Sequence, residues 1–139
     1  MIKVIFWGIG ITLSVPILYL VVLYGASELG GEVVILDRPE VSGEESQVRI
    51  WIVDQGGTSW IEHGDAESFY LSTLTESSRV ILTRNGETLS YVGKQDDDAH
   101  DLYHKLRLEK YSWADQLIAL LTRGKTACEG VPVRLQLEG

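Results

Sequence analysis

The chain is short of basic residues and of cysteine, and each shortage excludes a class of protein. It has 12 lysine and arginine residues against 20 aspartate and glutamate residues, which gives a formal net charge of −8 at pH 7. Binding to the phosphates of a nucleic acid needs a basic surface, so no nucleic-acid partner is expected. Cys128 is the only cysteine, which excludes an internal disulfide and a zinc site built from several thiolates. We expect Cys128 to be a small, partly buried side chain near the last strand.

Charged residues are also absent from residues 4–26. As a helix, these 23 residues would be about 34 Å long, and the hydrocarbon core of a bilayer is about 30 Å thick. We therefore predict a membrane anchor over residues 1–27, a single pass that contacts the lipid bilayer through residues 4–26. Because Lys3 favours a cytoplasmic amino terminus, the rest of the chain is expected on the extracytoplasmic side. The alternative is a signal peptide, for which Gly25 and Ser27 supply the small residues near a cleavage site.

Residues 28–139 are enough for one domain, and their strongest β signals form two hairpins. In the second hairpin, strands at 79–84 and 87–92 are joined by Asn85 and Gly86, which suit the positive φ angles of a type I′ turn. A two-residue loop then fixes the register of the two strands. The expected cross-strand pairs are Arg84 with Glu87 as an ion pair, Leu82 with Leu89 and Val80 with Tyr91.

The first hairpin is predicted at 48–62, with a glycine pair in a loop of two or three residues. In its first strand, Trp51 and Val53 lie on one face, and Ile50 and Ile52 lie on the other. A strand that is apolar on both sides is usually covered on both sides. We therefore expect this strand to be buried on both faces.

Five further elements complete the predicted chain. They are strands at 32–37 and 131–137 and helices at 64–78, from 96 onward and at 113–122. We expect Asp65 to cap the first of these helices, and Ser112 with Asp115 to form a capping box for the last. The last helix is apolar over most of its circumference, so it should be well buried.

Together these elements predict an α+β fold that is mainly β. Six short strands, mostly antiparallel, with helices between the hairpins are typical of a small barrel. The predicted fold is a six-stranded antiparallel split barrel over residues 28–139, with about three soluble helices, preceded by the N-terminal transmembrane helix.

The order of several segments resembles a known family. The hairpin segments VRIWIVD and RVILTRNG are followed by residues 110–115 (KYSWAD) and 132–135 (PVRL). The succession is similar to the flavin-binding split barrels related to pyridoxamine-phosphate oxidase, in particular the deazaflavin-dependent nitroreductases. The resemblance implies a barrel, often a homodimer, that holds FMN or a deazaflavin at its wall and transfers hydride to a small acceptor. The cofactor carries the chemistry in such enzymes, so catalytic residues stay unassigned.

Five residues are the candidates for cofactor binding. Arg49 is the candidate for an anionic group, and Arg84 and Lys110 are further cations. Trp51 and Trp60 are the candidates for stacking against a planar ring. The other interpretation is that the cations are solvated or salt-bridged residues and that the tryptophans are core anchors.

Two acidic features depart from the family pattern. The stretch 42–46 (SGEES) is acidic where the family's enzymes carry basic and hydroxyl residues that bind the anionic tail of the cofactor. Glu62 stands where relatives carry arginine, so a phosphate there would be repelled. The sequence therefore leaves three possibilities for the cofactor, which are FMN, a deazaflavin or none.

The three histidines are weaker candidates. His100 and His104 would share one helix face near Asp97 and Asp101 and could hold a metal ion there. An exposed polar face with ordinary titrating histidines is the preferred interpretation, so no metal site is predicted. His63 is a candidate proton donor or, by the preferred interpretation, a strand histidine with satisfied hydrogen bonds. The same helix should bury a stripe of apolar residues, Ala99, Leu102, Tyr103 and Leu106.

Two functions follow from these features. The first is a membrane-anchored oxidoreductase that uses a flavin or deazaflavin to reduce a quinone-like or nitroaromatic acceptor. The second is a non-catalytic barrel that is tethered to the membrane and either binds a partner or self-associates. The acidic stretch at 42–46 and Glu62 favour the second function.

Overall fold

A computed structural model describes residues 2–74, 78–121 and 130–138, with side chains described from residue 14 onward except at residue 27. Within these residues, helix α1 (Ile2–Leu29) precedes six strands and three further α-helices. These are β1 (Val33–Pro39), β2 (Glu45–Gln55), β3 (Thr58–His63), α2 (Phe69–Thr73), β4 (Ser78–Arg84), β5 (Glu87–Gln95), α3 (His100–Tyr111), α4 (Trp113–Leu121) and β6 (Val131–Leu137). A short 3₁₀ turn, Asp97–Ala99, leads into α3.

The six strands form a closed barrel in the order β1-β2-β3-β6-β5-β4. Every pair of neighbouring strands is antiparallel. Closure gives each strand two hydrogen-bonded neighbours, although residues 45–51 of β2 pair with β1 alone. The predicted six-stranded antiparallel barrel with helices against it is confirmed.

The two hairpins have the turns that their sequences favour. Asn85 and Gly86 have φ angles of 52° and 82°, and the pairing of β4 with β5 has the predicted register. The β2–β3 loop consists of Gly56 and Gly57, so the two-residue alternative is correct. Arg84 lies opposite Glu87 as predicted, but its guanidinium group bonds Glu32 and Asp54. The long, flexible side chain therefore pairs outside its own hairpin.

Strand β2 is covered on both faces at Ile52 and Val53, as its sequence predicts. Ile52 lies in the core that fills the barrel, where it is joined by Val34, Leu36, Ile61, Leu82 and Leu135. Val53 lies on the outer wall in a second core with Trp60 and the α3 residues Tyr103 and Leu106. The predicted apolar stripe of α3 thus packs against the outside of the barrel.

The helix between β3 and β4 is shorter than predicted. It begins at Phe69, and Ser68 rather than Asp65 is its cap, because the Ser68 hydroxyl accepts a hydrogen bond from the Leu71 backbone N–H at 3.2 Å. The Asp65 carboxylate instead accepts from the Glu67 N–H at 3.0 Å, in the turn before the helix. Asp side chains commonly bond two residues along the chain in this way, which competes with helix capping.

Two predictions about α4 are wrong. Ser112 and Asp115 do not form a capping box, since the Ser112 N–H donates to the Leu108 carbonyl oxygen at 2.9 Å and the Asp115 carboxylate accepts from Arg107 Nε at 2.6 Å. The helix is also not well buried, because Trp113 and Leu120 are 57 % and 80 % exposed. The predicted end of α4 beyond Leu121 and the prediction for Cys128 lie outside the described residues.

Helix α4 packs against the last part of α1 instead. The Tyr19 hydroxyl donates to the Leu121 carbonyl oxygen at 3.3 Å. At the other end of α4, Gly30 lies directly against Ala114, where an added Cβ atom would come within 2.2 Å of the alanine Cβ. The two helices therefore run in opposite directions side by side.

Helix α1 covers the segment for which a membrane anchor is predicted. Across the side chains that the structure describes, no helix combines the length and the hydropathy of a membrane span. The anchor at residues 1–27 stays a prediction.

Candidate functional site

Arg84 and Lys110 meet two carboxylates on the barrel wall, and we call these four residues the ion cluster. Glu32 precedes β1 and Asp54 lies near the end of β2, while Arg84 ends β4 and Lys110 lies in the last turn of α3. Arg84 bonds Glu32 at 2.6 Å and Asp54 at 2.9 Å. Lys110 Nζ bonds the same two carboxylates at 2.6 and 3.0 Å. Two positive and two negative charges thus neutralise each other.

The ion cluster keeps all four of its groups charged at neutral pH. The hydrogen bond from Arg84 lowers the pKa of Glu32. Burial raises the pKa of Asp54, but hydrogen bonds from Arg84 and Ser59 outweigh it and hold that pKa well below its ordinary value. The carboxylates in turn raise the pKa values of Arg84 and, against partial burial, of Lys110.

An aromatic pair lies beside the ion cluster. The rings of Trp51 and Tyr111 are 4.5 Å apart between centroids, and Lys110 Nζ lies 5.5 Å from the Tyr111 ring. The Tyr111 hydroxyl accepts a hydrogen bond from the Ile52 N–H at 3.2 Å, which fixes the ring against β2. Three of the five predicted cofactor-binding residues, Trp51, Arg84 and Lys110, therefore come together. Tyr111 was missed as a neighbour of this group, although it lies in the KYSWAD segment.

The other two predicted residues lie elsewhere. Arg49 makes a two-pronged, solvent-exposed ion pair with Glu28 at the end of α1. Trp60 is buried in the outer core, and its Nε1 donates to the Asp96 carboxylate at 3.1 Å. These two residues do not join Trp51, Arg84 and Lys110 in one site.

A second charged group lies beneath α3, and we call it the histidine cluster. It consists of Glu62 from β3, His100, His104 and Arg107 from α3, and Asp115 from α4. Arg107 bonds Glu62 at 3.1 Å and Asp115 at 2.6 Å. Burial lowers the pKa of Arg107, but the opposite effects of Tyr103, Asp115 and Glu62 are larger and raise it. Arg107 therefore stays charged between its two carboxylates.

The histidine pair is not an exposed polar face, contrary to the preferred interpretation. The side chain of His104 is only 6 % exposed, and its Nε2 lies 3.2 Å from a carboxylate oxygen of Glu62. Asp97 and Asp101 are not among the groups that converge there. The sequence does contain a signal for this cluster, because His100, His104 and Arg107 recur at i, i+4 and i+7 on one helix face. Glu62 could not be placed there without the barrel register.

His63 lies at a separate cleft of about 350 Å³, which is lined by residues of the β1–β2 loop and of α2. Its Nε2 is 3.2 Å from Arg38 Nη1. Its ring also lies 5.6 Å from that of Tyr70, measured between centroids. Burial raises the pKa of Tyr70 to about 12, so its hydroxyl stays protonated at neutral pH.

The strand pairing and these clusters define a closed six-stranded antiparallel barrel of the α+β class, with charged groups on its outer wall. Comparison with known family models finds no match, and neither does comparison with curated proteins. Among solved structures, one match is a chain described as an F420 reductase. It is 12 % identical, covers 78 % of this chain and 87 % of its own length, and superimposes with a TM-score of 0.44.

Proposed function

We propose that the chain is a membrane-anchored split-barrel module that works by binding or self-association rather than by catalysis. The observation that carries this proposal is that each cation predicted to hold an anionic cofactor is already paired with a carboxylate of the chain. Arg49 pairs with Glu28, whereas Arg84 and Lys110 share Glu32 and Asp54. A phosphate entering the ion cluster would meet two carboxylates at contact distance and be repelled.

The apolar surface of α1 and α4 supports the anchoring part of the proposal. The two helices lie side by side and expose apolar side chains, which are Val15, Ile17, Leu18, Leu20, Val21, Tyr24, Trp113 and Leu120. A surface of this kind is unfavourable in water and favourable in lipid. Tyr24 and Trp113 are residue types that collect at membrane interfaces. The module would be held by residues 4–26, with residues 28–139 on the extracytoplasmic side.

An oxidoreductase is the second candidate, favoured by the meeting of Trp51 and Tyr111 with Arg84 and Lys110. Aromatic and cationic groups on one side of a barrel suit a planar cofactor with an anionic tail. A flavin or deazaflavin bound there in its reduced form would supply hydride to a quinone-like or nitroaromatic acceptor and be oxidised in turn. The segment KYSWAD, which resembles the flavin-binding family, contributes Lys110 and Tyr111 to this group.

Titration with FMN and with a deazaflavin separates the two candidates. The full chain, purified in detergent, is titrated while tryptophan fluorescence is recorded. We expect no saturable quenching, because the cations of the ion cluster are occupied. Saturable quenching by either compound that disappears in Lys110→Ala would contradict the proposal and support the oxidoreductase.

A matched variant tests whether the carboxylates are what exclude an anion. The double variant Glu32→Gln, Asp54→Asn keeps the shape of both side chains and removes their negative charge. We expect FMN to bind this variant more tightly than the wild-type chain, since Arg84 and Lys110 would gain free donors. If neither protein binds FMN, the ion cluster is not an anion site even without the negative charges of Glu32 and Asp54.

A further inference from the structure

We propose that Glu62, His100 and His104 bind one divalent transition-metal ion, with Zn²⁺ the best suited, and that this ion fastens α3 to the barrel. The three residues come from two elements, with Glu62 on β3 and both histidines on α3. Their ligand atoms form a group compact enough to surround one ion. The inference goes beyond the proposed binding module and does not depend on it.

The distances between the ligand atoms fit a tetrahedral ion. His104 Nε2 lies 3.2 Å from His100 Nε2 and 3.2 Å from Glu62 Oε1, and His100 Nε2 lies 3.8 Å from the same oxygen. Zinc binds nitrogen and oxygen ligands at about 2.0 to 2.1 Å, so two corners of its tetrahedron lie about 3.3 to 3.4 Å apart. The three atoms are therefore already close to three corners of such a site.

The chemistry of the three ligands narrows the choice of ion. Two imidazoles and one carboxylate are a set that suits zinc and its neighbours in the first transition row. Magnesium and calcium prefer sites made of oxygen ligands, so they are expected to bind poorly. Three protein ligands with one position left for solvent is also the composition of catalytic zinc sites. His100 is 33 % exposed, so the open position would lie on its side of the cluster.

The surroundings hold the ligands in place. Arg107 Nη1 bonds the second carboxylate oxygen of Glu62 at 3.1 Å, which leaves Oε1 directed at the histidines. Residues that hydrogen-bond a metal ligand without contacting the ion orient that ligand and strengthen metal binding. Gly130 also packs against Glu62, where an added Cβ atom would come within 2.7 Å of the Glu62 Cγ and Cδ atoms. The carboxylate thus has little freedom to leave the site.

A bound cation would stabilise the histidine cluster because Glu62 and His104 are buried there. The side chains of Glu62 and His104 are 8 % and 6 % exposed, so water screens their charges weakly. Arg107 neutralises part of the negative charge but is shared with Asp115. A divalent ion would satisfy lone pairs of all three ligand atoms at once, which a single proton between two of them does not.

The test measures metal binding by the full chain in detergent after treatment with a chelator. Calorimetric titration with Zn²⁺ is expected to show one ion bound per chain. Co²⁺, which can replace Zn²⁺ in such sites, is expected to give the intense visible absorption of a tetrahedral ion. Mg²⁺ and Ca²⁺ in excess should not displace either ion.

His100→Ala is the deciding variant, because this ligand is the most exposed of the three and its loss is the least harmful to folding. We expect it to weaken Zn²⁺ binding at least about tenfold. His63→Ala is the matched control, since it removes the chain's third histidine at the separate cleft, and its Zn²⁺ affinity should equal that of the wild type. His104→Ala and Glu62→Gln are expected to weaken binding further where they fold.

Three results would overturn the proposal. The first is that the folded chain binds neither Zn²⁺ nor Co²⁺ at one ion per chain. The second is that His100→Ala binds Zn²⁺ as tightly as the wild type. The third is that His63→Ala loses as much Zn²⁺ affinity as His100→Ala. Absence of binding would leave the three groups as a hydrogen-bonded cluster that shares protons. None of these results bears on the FMN titration, so the two proposals fail separately.

Discussion

Arg107 lies between two carboxylates that come from different elements, Glu62 on β3 and Asp115 on α4. Asp115 is 1 % exposed, so its charge depends on this partner for compensation. The sequence position of Asp115 suggests a capping residue, and local patterns alone favour that interpretation. The ion pair is visible only once α3 and α4 are placed side by side.

Asp115→Ala should reduce stability strongly. It removes one charge-assisted hydrogen bond to Arg107, which keeps Glu62 as its second partner, so the expected loss is about 1.5 to 3 kcal/mol. Glu109→Ala is the control, because Glu109 pairs with Lys105 at 4.0 Å with both side chains mostly exposed. Loss of such a surface pair costs about 0.5 kcal/mol or less. The free energy of unfolding in urea checks both values, and equal losses in the two variants would contradict the structural role of the Arg107 pair.

The ion cluster should make the protein sensitive to acid. The folded-state pKa values of Glu32 and Asp54 lie below their ordinary values of 4.5 and 3.8. The folded state therefore binds these protons less readily than the unfolded state. The two carboxylates stabilise the fold fully at a pH above their ordinary pKa values, and this stabilisation is lost as the pH falls below those values. Urea unfolding at pH 7 and pH 3 measures the loss.

Asp54→Asn provides the check on the origin of this acid sensitivity. At pH 7 the variant should be less stable by about 1 kcal/mol, since the pair is partly exposed and screened. Its stability should then fall less than that of the wild type between pH 7 and pH 3. An identical fall in the two proteins would place the acid-sensitive group elsewhere.

At the scale of single elements, local turn chemistry was predictable and helix burial was not. Asn85 and Gly86 determine their turn by their own backbone preferences, so the β4–β5 register follows from the sequence. The apolar circumference of α4 fits either a protein core or a lipid-facing surface, and the sequence does not choose between them. Leu120 is exposed because α4 packs on α1 along one side only.

Packing of α1 against α4 should depend on Gly30. A Cβ atom there would lie 2.2 Å from the Ala114 Cβ and 2.6 Å from the Ala26 carbonyl oxygen, so Gly30→Val must push the helices apart. We expect a loss of about 1 to 3 kcal/mol, measured as the free energy of unfolding. Gly25→Val is the control, because a Cβ at Gly25 meets nothing within 4 Å. Equal stability of the two variants would contradict the close contact of α1 with α4.

At the scale of the whole molecule, the barrel was predictable because its strands alternate or are apolar in short runs between turn residues. The closing pairs, β1 with β4 and β3 with β6, join strands far apart in sequence and were not predicted individually. For the same reason the histidine cluster was not predicted as a unit. Its members Glu62 and His104 meet only because β3 and α3 pack together on the closed barrel.

Anchoring can be tested on the full chain in cell membranes. We expect the protein to remain in the membrane pellet after extraction with alkaline carbonate, which releases proteins held only at the surface. Its intact mass should be that of the uncut chain. A carbonate-soluble protein with a mass reduced by the first 27 residues or so would favour the cleaved signal peptide and contradict the anchor.

We propose that this barrel works as a binding module without an organic redox cofactor, because the cations predicted to hold one, Arg49, Arg84 and Lys110, are paired with its own carboxylates. Native mass spectrometry of the detergent-extracted full chain tests this claim most directly, since it reports bound cofactor and subunit number together. We predict assemblies, dimers included, in which no subunit carries the mass of a flavin or deazaflavin. A bound metal ion adds a much smaller mass, and it would concern the histidine cluster alone. One flavin or deazaflavin per chain would contradict the account.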